Sequence, residues 1–382
     1  MEDMETTQLF DCRSPGIYDF EPYTQSVIQN RRKAATIVFS VLLGPPSANV
    51  DSESEQLPRY LISATSNGTL SVFLLQDLLL PSSQAHKPLL KVQAHKGAAY
   101  ATCFLLKNGE AMLYSGGDDG MILGWRWADL EQAAVGAQQG GAPEPCVHVE
   151  CERTPGPYGS LGPVPEVNAL AATSTGELLS GGGDGTVHVW EGASGKRVCS
   201  LRGHTATVHC VISRSSQQQA ISGSEDGTVR VWDLKQQACV LVLDVWMARP
   251  SVPTKGGSNK RSPWVGCVAL DEHENWLACG CGGQSITVWN LVAQVATARI
   301  KTSSPPQALV IAGDQIIAAG AESRIHQWTL SGELTQSINC KPASVFTLLV
   351  HPCGLTVVGG TGNGVVHVIS QLGSTIAEVH CE

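Results

Sequence analysis

The sequence predicts an all-β fold, a seven-bladed β-propeller preceded by a short irregular N-terminal segment over residues 1–33. Three observations predict it. Gly203-His204 is followed at residues 222–235 by the string Ser-Gly-Ser-Glu-Asp-Gly-Thr-Val-Arg-Val-Trp-Asp-Leu-Lys. Weaker copies of the pattern recur along the chain, each a strand of period-two alternation behind a Gly-containing turn. A unit of this size cannot bury both faces of its sheet alone, so the copies must stack on one another.

The units follow in order over residues 34–80, 92–130, 164–196, 201–237, 263–294, 305–333 and 342–381. The first ends Thr69-Leu70-Ser71-Val72-Phe73, with Asn67 in the turn. The second carries His95, Ser115, Asp119 and Trp125. The third has Ser180, Asp184, Gly185 and Trp190, but Pro165-Glu166-Val167-Asn168 stands where a Gly-His is expected. The fourth is complete, with His204, Ser222, Asp226 and Trp232. The fifth ends Ser285-Ile286-Thr287-Val288-Trp289 with Gly283 at the Asp position. The sixth ends Arg324-Ile325-His326-Gln327-Trp328 behind Glu322, and the seventh Val365-Val366-His367-Val368-Ile369 behind Asn363. At about 40 residues a blade these need about 280. The excess is assigned to insertions at 44–58, 128–165 and 247–263, rich in Gly, Pro and polar residues and read as irregular surface loops. Residues 375–381 alternate well enough to form the outermost strand of the last blade, although the N-terminal segment is a second candidate for closing the ring.

Gly-His, Asp-Gly and Trp-Asp at these spacings resemble the WD40 repeat. Asp226 lies six positions before Trp232, in a tight turn where its carboxylate can accept local N–H groups and an imidazole. A buried chain of His204, Ser222, Asp226 and Trp232 would satisfy every member. The same is expected of His95, Ser115, Asp119 and Trp125, and of Ser180, Asp184 and Trp190. A His-Asp-Ser trio also suits a hydrolase, but this spacing is structural and the Asp sits in a hairpin turn.

Composition narrows the function classes. Net charge is −9 with 25 Lys and Arg, which argues against sheathing nucleic acid over a broad face. Two basic clusters, Arg31-Arg32-Lys33 and Lys255, Lys260, Arg261, leave a weak RNA or nuclear-import contact as an alternative to solvated charge. No run of apolar residues reaches membrane-spanning length, and the acidic start is unlike a secretory signal. Thirteen cysteines, scattered mostly on predicted strands, suggest buried free thiols in a reducing compartment. Cys279-Gly-Cys281 and His351-Pro-Cys353 are metal half-sites without a second half, so no metal or other cofactor is expected. Phosphate-loop, G-x-S-x-G and H-E-x-x-H motifs are absent, and the expected class is a non-catalytic protein-binding platform.

Less generic strings go further. Residues 165–170 (Pro-Glu-Val-Asn-Ala-Leu) open the third unit. Residues 201–210 open the fourth with Leu-Arg-Gly-His-Thr and Val-His-Cys. Residues 264–269 (Trp-Val-Gly-Cys-Val-Ala) and 281–289 (Cys-Gly-Gly-Gln-Ser-Ile-Thr-Val-Trp) bound the fifth, and 326–334 (His-Gln-Trp-Thr-Leu-Ser-Gly-Glu-Leu) close the sixth. In order and spacing these resemble the THO complex subunit 6 family over about residues 90–375, most strongly from 164 to 334; the first unit, the 44–58 insertion and the N-terminus carry no visible match. The resemblance implies a nuclear, non-catalytic propeller of the THO/TREX assembly in mRNA processing and export, docked on the coiled-coil subunits 5 and 7. A competing expectation comes from Trp232, Asp233 and Lys235, which approach the WDxR box that docks propellers on the adaptor of cullin-4 ubiquitin ligases. Lys235 stands where that box has Arg and lacks its bidentate fork. Partner-facing candidates on turns are Asp118, Glu225, Arg324 and Asn363.

Overall fold

The computed structural model of the chain describes residues 25–26, 35–45, 58–79, 86–136, 142–153, 160–245, 249–251, 263–351, 353–370 and 372–381. The clusters Arg31-Arg32-Lys33 and Lys255, Lys260, Arg261, and most of the 44–58 insertion, lie outside the described residues.

Seven antiparallel sheets follow one another, each built from one continuous stretch of chain. The first holds β1 (Val38–Gly44), β2 (Tyr60–Thr65), β3 (Thr69–Leu74) and β4 (Leu90–Gln93). The second holds β5 (Ala99–Lys107), β6 (Glu110–Gly117), β7 (Met121–Arg126) and β8 (Val147–Glu150). The third holds β9 (Val167–Ala172), β10 (Glu177–Gly182), β11 (Thr186–Glu191) and β12 (Arg197–Arg202). The fourth holds β13 (Val208–Arg214), β14 (Gln219–Ser224), β15 (Thr228–Asp233), β16 (Ala238–Asp244) and a short fifth strand, β17 (Arg249–Ser251). The fifth holds β18 (Val265–Leu270), β19 (Trp276–Cys281), β20 (Ser285–Asn290) and β21 (Val295–Lys301). The sixth holds β22 (Pro306–Ala312), β23 (Gln315–Gly320), β24 (Arg324–Thr329) and β25 (Leu334–Asn339). The seventh holds β26 (Val345–Val350), β27 (Leu355–Gly360), β28 (Val365–Ser370) and β29 (Thr375–His380).

The first strand of each sheet touches the first strand of the next, and β26 returns to β1, so these strands line the axis of a closed ring. The hydrophobic core sits at the seams between sheets. Val38, Leu61 and Phe73 of the first sheet pack on Val357, Val366 and Val368 of the seventh, and a comparable cluster fills every other seam. Trp125, Trp232 and Trp289 are buried in these seams. At about 200 Å² each and about 25 cal/mol per Å², every one contributes roughly 5 kcal/mol of gross burial.

Blade limits differ systematically from the sequence expectation. The sheets run on to β4, β8, β12, β16, β21 and β25, all beyond the ends assigned to the first six units. These outer strands are half solvated, as in β12, where only Leu201 is buried, so they carry little apolar alternation to read. For the same reason the 128–165 stretch is not a plain loop. Helix α1 (Leu75–Leu79) follows β3, and helix α2 (Trp127–Val135) and β8 lie in or at the edge of the second insertion. Trp127 opens α2 and is buried edge-to-face against Tyr60 and Phe104. Part of the 247–263 insertion is likewise β17, paired with β16.

The seam between the seventh and first sheets is joined by β29. Ser63 Oγ bonds the Cys381 thiol at 3.0 Å, Ser71 Oγ donates to Cys381 O, and Val41 N donates to Thr347 Oγ1. All described cysteines are free thiols, most of them buried or half-buried.

Candidate functional site

The turns joining second to third strands, and the loops joining outer strands to the next sheet, share one face of the ring. Backbone bonds recur there: Asp118 N to Ala98 O, Glu225 N to Thr207 O, Gly282 N to Trp264 O and Thr361 N to Ser344 O. This face carries the predicted polar chains.

The fourth blade assembles all four members. Trp232 Nε1 donates to Ser222 Oγ at 2.8 Å, His204 Nε2 meets Ser222 Oγ at 2.8 Å, and His204 Nδ1 meets Asp226 Oδ2 at 2.9 Å. Only one proton arrangement satisfies the chain with a neutral ring. A carboxylate only accepts, so Nδ1 carries the hydrogen; Nε2 then accepts from the Ser222 hydroxyl, whose lone pair takes the indole N–H. Asp226 also accepts from Thr205 N and Thr228 N. Burial pushes the Asp226 carboxyl up, but hydrogen bonds from His204, Thr228 and Thr205 outweigh it and hold the pKa at about 2, against an ordinary 3.8. A depressed carboxylate contributes stability that is complete above the unfolded pKa and lost as pH falls through the folded one. The chain is therefore expected to lose about 2 kcal/mol between pH 4 and pH 2 through this group. The Asp226→Asn variant should lack that increment, which urea midpoints at the two pH values measure.

The second blade departs from expectation. His95 Nδ1 meets Asp119 at 2.9 Å and its Nε2 meets Ser115 Oγ at 2.8 Å. Trp125, however, donates to the Pro143 carbonyl at 3.1 Å instead of to Ser115. The segment between α2 and β8 places this acceptor beside the indole. The chain is a triad here, not a tetrad.

The third blade has Trp190 Nε1 on Ser180 Oγ at 2.8 Å, but Asp184 is not part of that chain. It meets His188 Nε2 at 2.9 Å, and His188 Nδ1 reaches Ser200 Oγ on β12. His188 is a residue that sequence reasoning missed. It lies two before Trp190 and four after the turn Asp, and it replaces the absent loop His. Glu322 and His326 occupy the same two positions in the sixth blade and approach to 3.5 Å, but neither buried ring nitrogen of His326 makes a hydrogen bond. An acid four before a His that precedes Trp by two is the signal that could have found both. Burial raises the Asp184 and Glu322 carboxyls, but hydrogen bonds from His188 and from Ser303 and Ser304 carry both below their ordinary values.

Asp118, Glu225 and Asn363 are exposed on turns of this same face, and Arg324 is exposed where β24 leaves its turn. Asp118 accepts the Tyr100 hydroxyl at 3.3 Å, and Asn363 sits at φ +57°. Lys235 lies on the opposite face, on the turn from β15 to β16. Asp233 Oδ1 is committed to that turn, accepting Lys235 N at 2.9 Å and Gln236 N at 2.8 Å. Among the described residues no group of three His, Cys, Asp or Glu is placed to hold a metal ion. Among the described residues no helix is long and apolar enough to cross a membrane.

Seven antiparallel sheets of four or five strands stacked around an axis, one clasped by a complete Asp–His–Ser–Trp chain and others by parts of it, define a WD40 propeller. A family model described as WD domain, G-beta repeat matches residues 157–191, 195–233 and 254–290. The chain is 34% identical to THO complex subunit 6 of Arabidopsis thaliana over 93% of its length and 95% of the relative's. It is 29% identical to THO complex subunit 6 of Homo sapiens over 73% of its length and 75% of the relative's. It is 28% identical to the THO complex subunit 6 homolog of Danio rerio over 77% and 84%. The chain belongs to the THO complex subunit 6 family. A match over 93% of the chain must also take in much of the first blade, where no resemblance was visible from motifs.

Proposed function

We propose that this chain is a non-catalytic scaffold subunit of the nuclear THO/TREX assembly, supporting mRNA processing and export by docking the coiled-coil subunits 5 and 7. The family membership carries the proposal. Surface chemistry supports it. Val292, Leu334 and Leu372 are 71%, 59% and 90% exposed on the turns that lead into the outer strands of three consecutive blades, or at the start of those strands. Val295 and Ile376 add exposed apolar groups on β21 and β29. Apolar anchors on successive blades suit the apolar stripe of an amphipathic helix.

The test is a pull-down of the tagged full chain from nuclear extract, read by mass spectrometry. Recovery of the THO subunits is expected, with a loss of about tenfold for the coiled-coil subunits in a Leu334→Asp/Leu372→Asp double variant. Recovery of a cullin-4 adaptor without THO subunits would instead favour the box at Trp232–Lys235. Loss of that adaptor in Lys235→Ala would then assign docking to the exposed lysine.

A further inference from the structure

In every blade the second residue of the first strand is skipped in the pairing with the second strand: Phe39, Tyr100, Asn168, His209, Gly266, Gln307 and Phe346. A bulge of this kind re-aims its side chain. These residues lie at the start of the strands that line the axis, and so at the mouth of the channel that those strands enter from the preceding loops. Three of these positions on consecutive blades are aromatic. Phe39 stacks edge-to-face on Tyr100 at 5.0 Å and on Phe346 at 5.3 Å, forming a half-buried crescent across the seventh, first and second blades. The crescent continues into acid. Asp118 bonds the Tyr100 hydroxyl, Glu166 bears on both Tyr100 and His209, and Glu225 is exposed on the fourth blade's turn beside His209. No Lys or Arg occupies either the bulge position or the first turn residue of any blade.

We infer that this mouth is a docking site for an arginine- or lysine-bearing extended peptide from a partner protein. Edge-to-face packing leaves aromatic faces, the negative side of the ring quadrupole, for a cation. Asp118, Glu166 and Glu225 supply carboxylates for its hydrogen bonds. The same carboxylates repel phosphate, which sets a basic peptide above a nucleic acid as occupant. This inference does not depend on THO membership, and its failure leaves the pull-down result standing.

The test is fluorescence anisotropy of the full chain with a labelled Gly-Ser peptide carrying arginine at every third position. A peptide with citrulline in place of arginine, equal in shape but neutral, and a labelled oligouridine are run beside it. The arginine peptide is expected to bind and the other two are not. A Phe39→Leu/Phe346→Leu variant, which keeps apolar volume but removes the π faces, should weaken binding about tenfold, as should Asp118→Asn/Glu225→Gln. Gln in place of Glu378, an acid on the outer strand β29, should leave it unchanged. Circular dichroism establishes that each variant is folded. Equal binding of the citrulline peptide, binding of oligouridine, equal loss in Glu378→Gln, indifference to both rim variants or no binding at all would each overturn the inference.

Discussion

The Ser222→Ala variant is expected to lose about 3 kcal/mol of stability, roughly twice the loss from Ser115→Ala. Both serines are fully buried on the second strand of their blades, and both meet the Nε2 of a loop histidine at 2.8 Å. Their second partners differ. Ser222 also takes the Trp232 indole N–H, whereas Trp125 in the second blade is served by Pro143 O. Removing Ser222 therefore orphans an indole donor and an imidazole acceptor; removing Ser115 orphans the imidazole alone. Each buried group left without a partner costs about 1–3 kcal/mol. The fifth blade supplies the converse. Cys279 occupies the position ten before Trp289 that Ser222 occupies before Trp232, and the buried Trp289 Nε1 has no hydrogen-bond partner. A thiol sulfur is a weak acceptor. Restoring the hydroxyl with Cys279→Ser should add about 1 kcal/mol. Urea midpoints at constant m-value measure all three changes. Equal costs for the two alanine variants would mean that the Trp–Ser bond contributes nothing to the chain.

The fold was legible because its signal is local and repeated. Turn glycines, alternation and the Trp that ends the third strand all report on the three inner strands, whose faces are packed between neighbouring blades. The outer strands escaped because solvent takes one side of them and nothing forces a pattern. The fourth blade's tetrad was legible because all its members come from one repeat at fixed spacing. The second blade's was misread because its departure depends on Pro143, a residue in a low-pattern insertion that tertiary structure brings to Trp125. His188 and His326 were missed for a related reason. The loop His and the third-strand His are alternative ways to meet one turn carboxylate, and only the first has a familiar motif. The channel mouth was invisible because Phe39, Tyr100 and Phe346 lie far apart in sequence. Only a bulge repeated in each blade, together with ring closure between β26 and β1, brings them into contact.

Placing alanine at Gly68 is expected to cost about 3 kcal/mol, against about 1 kcal/mol at Gly109. Both glycines have left-handed φ, +75° and +80°, which an L side chain adopts at a cost of about 1 kcal/mol. Gly109 has nothing within 4 Å of where a Cβ would stand, so that conformational term is the whole effect. At Gly68 a Cβ would lie 2.2 Å from the carbonyl oxygen of His95 and 2.4 Å from that of Gly97. Both obstacles are backbone and cannot rotate away, which adds the cost of an overpacked site, about 1–3 kcal/mol. Asparagine separates the two terms, since it tolerates left-handed φ better than alanine. Gly109→Asn should recover most of the alanine loss, and Gly68→Asn should recover none. The position has further weight because Gly68 O accepts both Ala94 N at 2.9 Å and His95 N at 3.1 Å. The first blade's turn thus holds the loop that aims His95 at Asp119 and Ser115. Displacing that loop lengthens the second blade's polar chain as well as distorting its own. In a double-mutant cycle, Gly68→Ala and Ser115→Ala should together cost less than the sum of their separate losses, because the first change already weakens the bond that the second removes. Strict additivity would mean that the two blades' turns are mechanically independent.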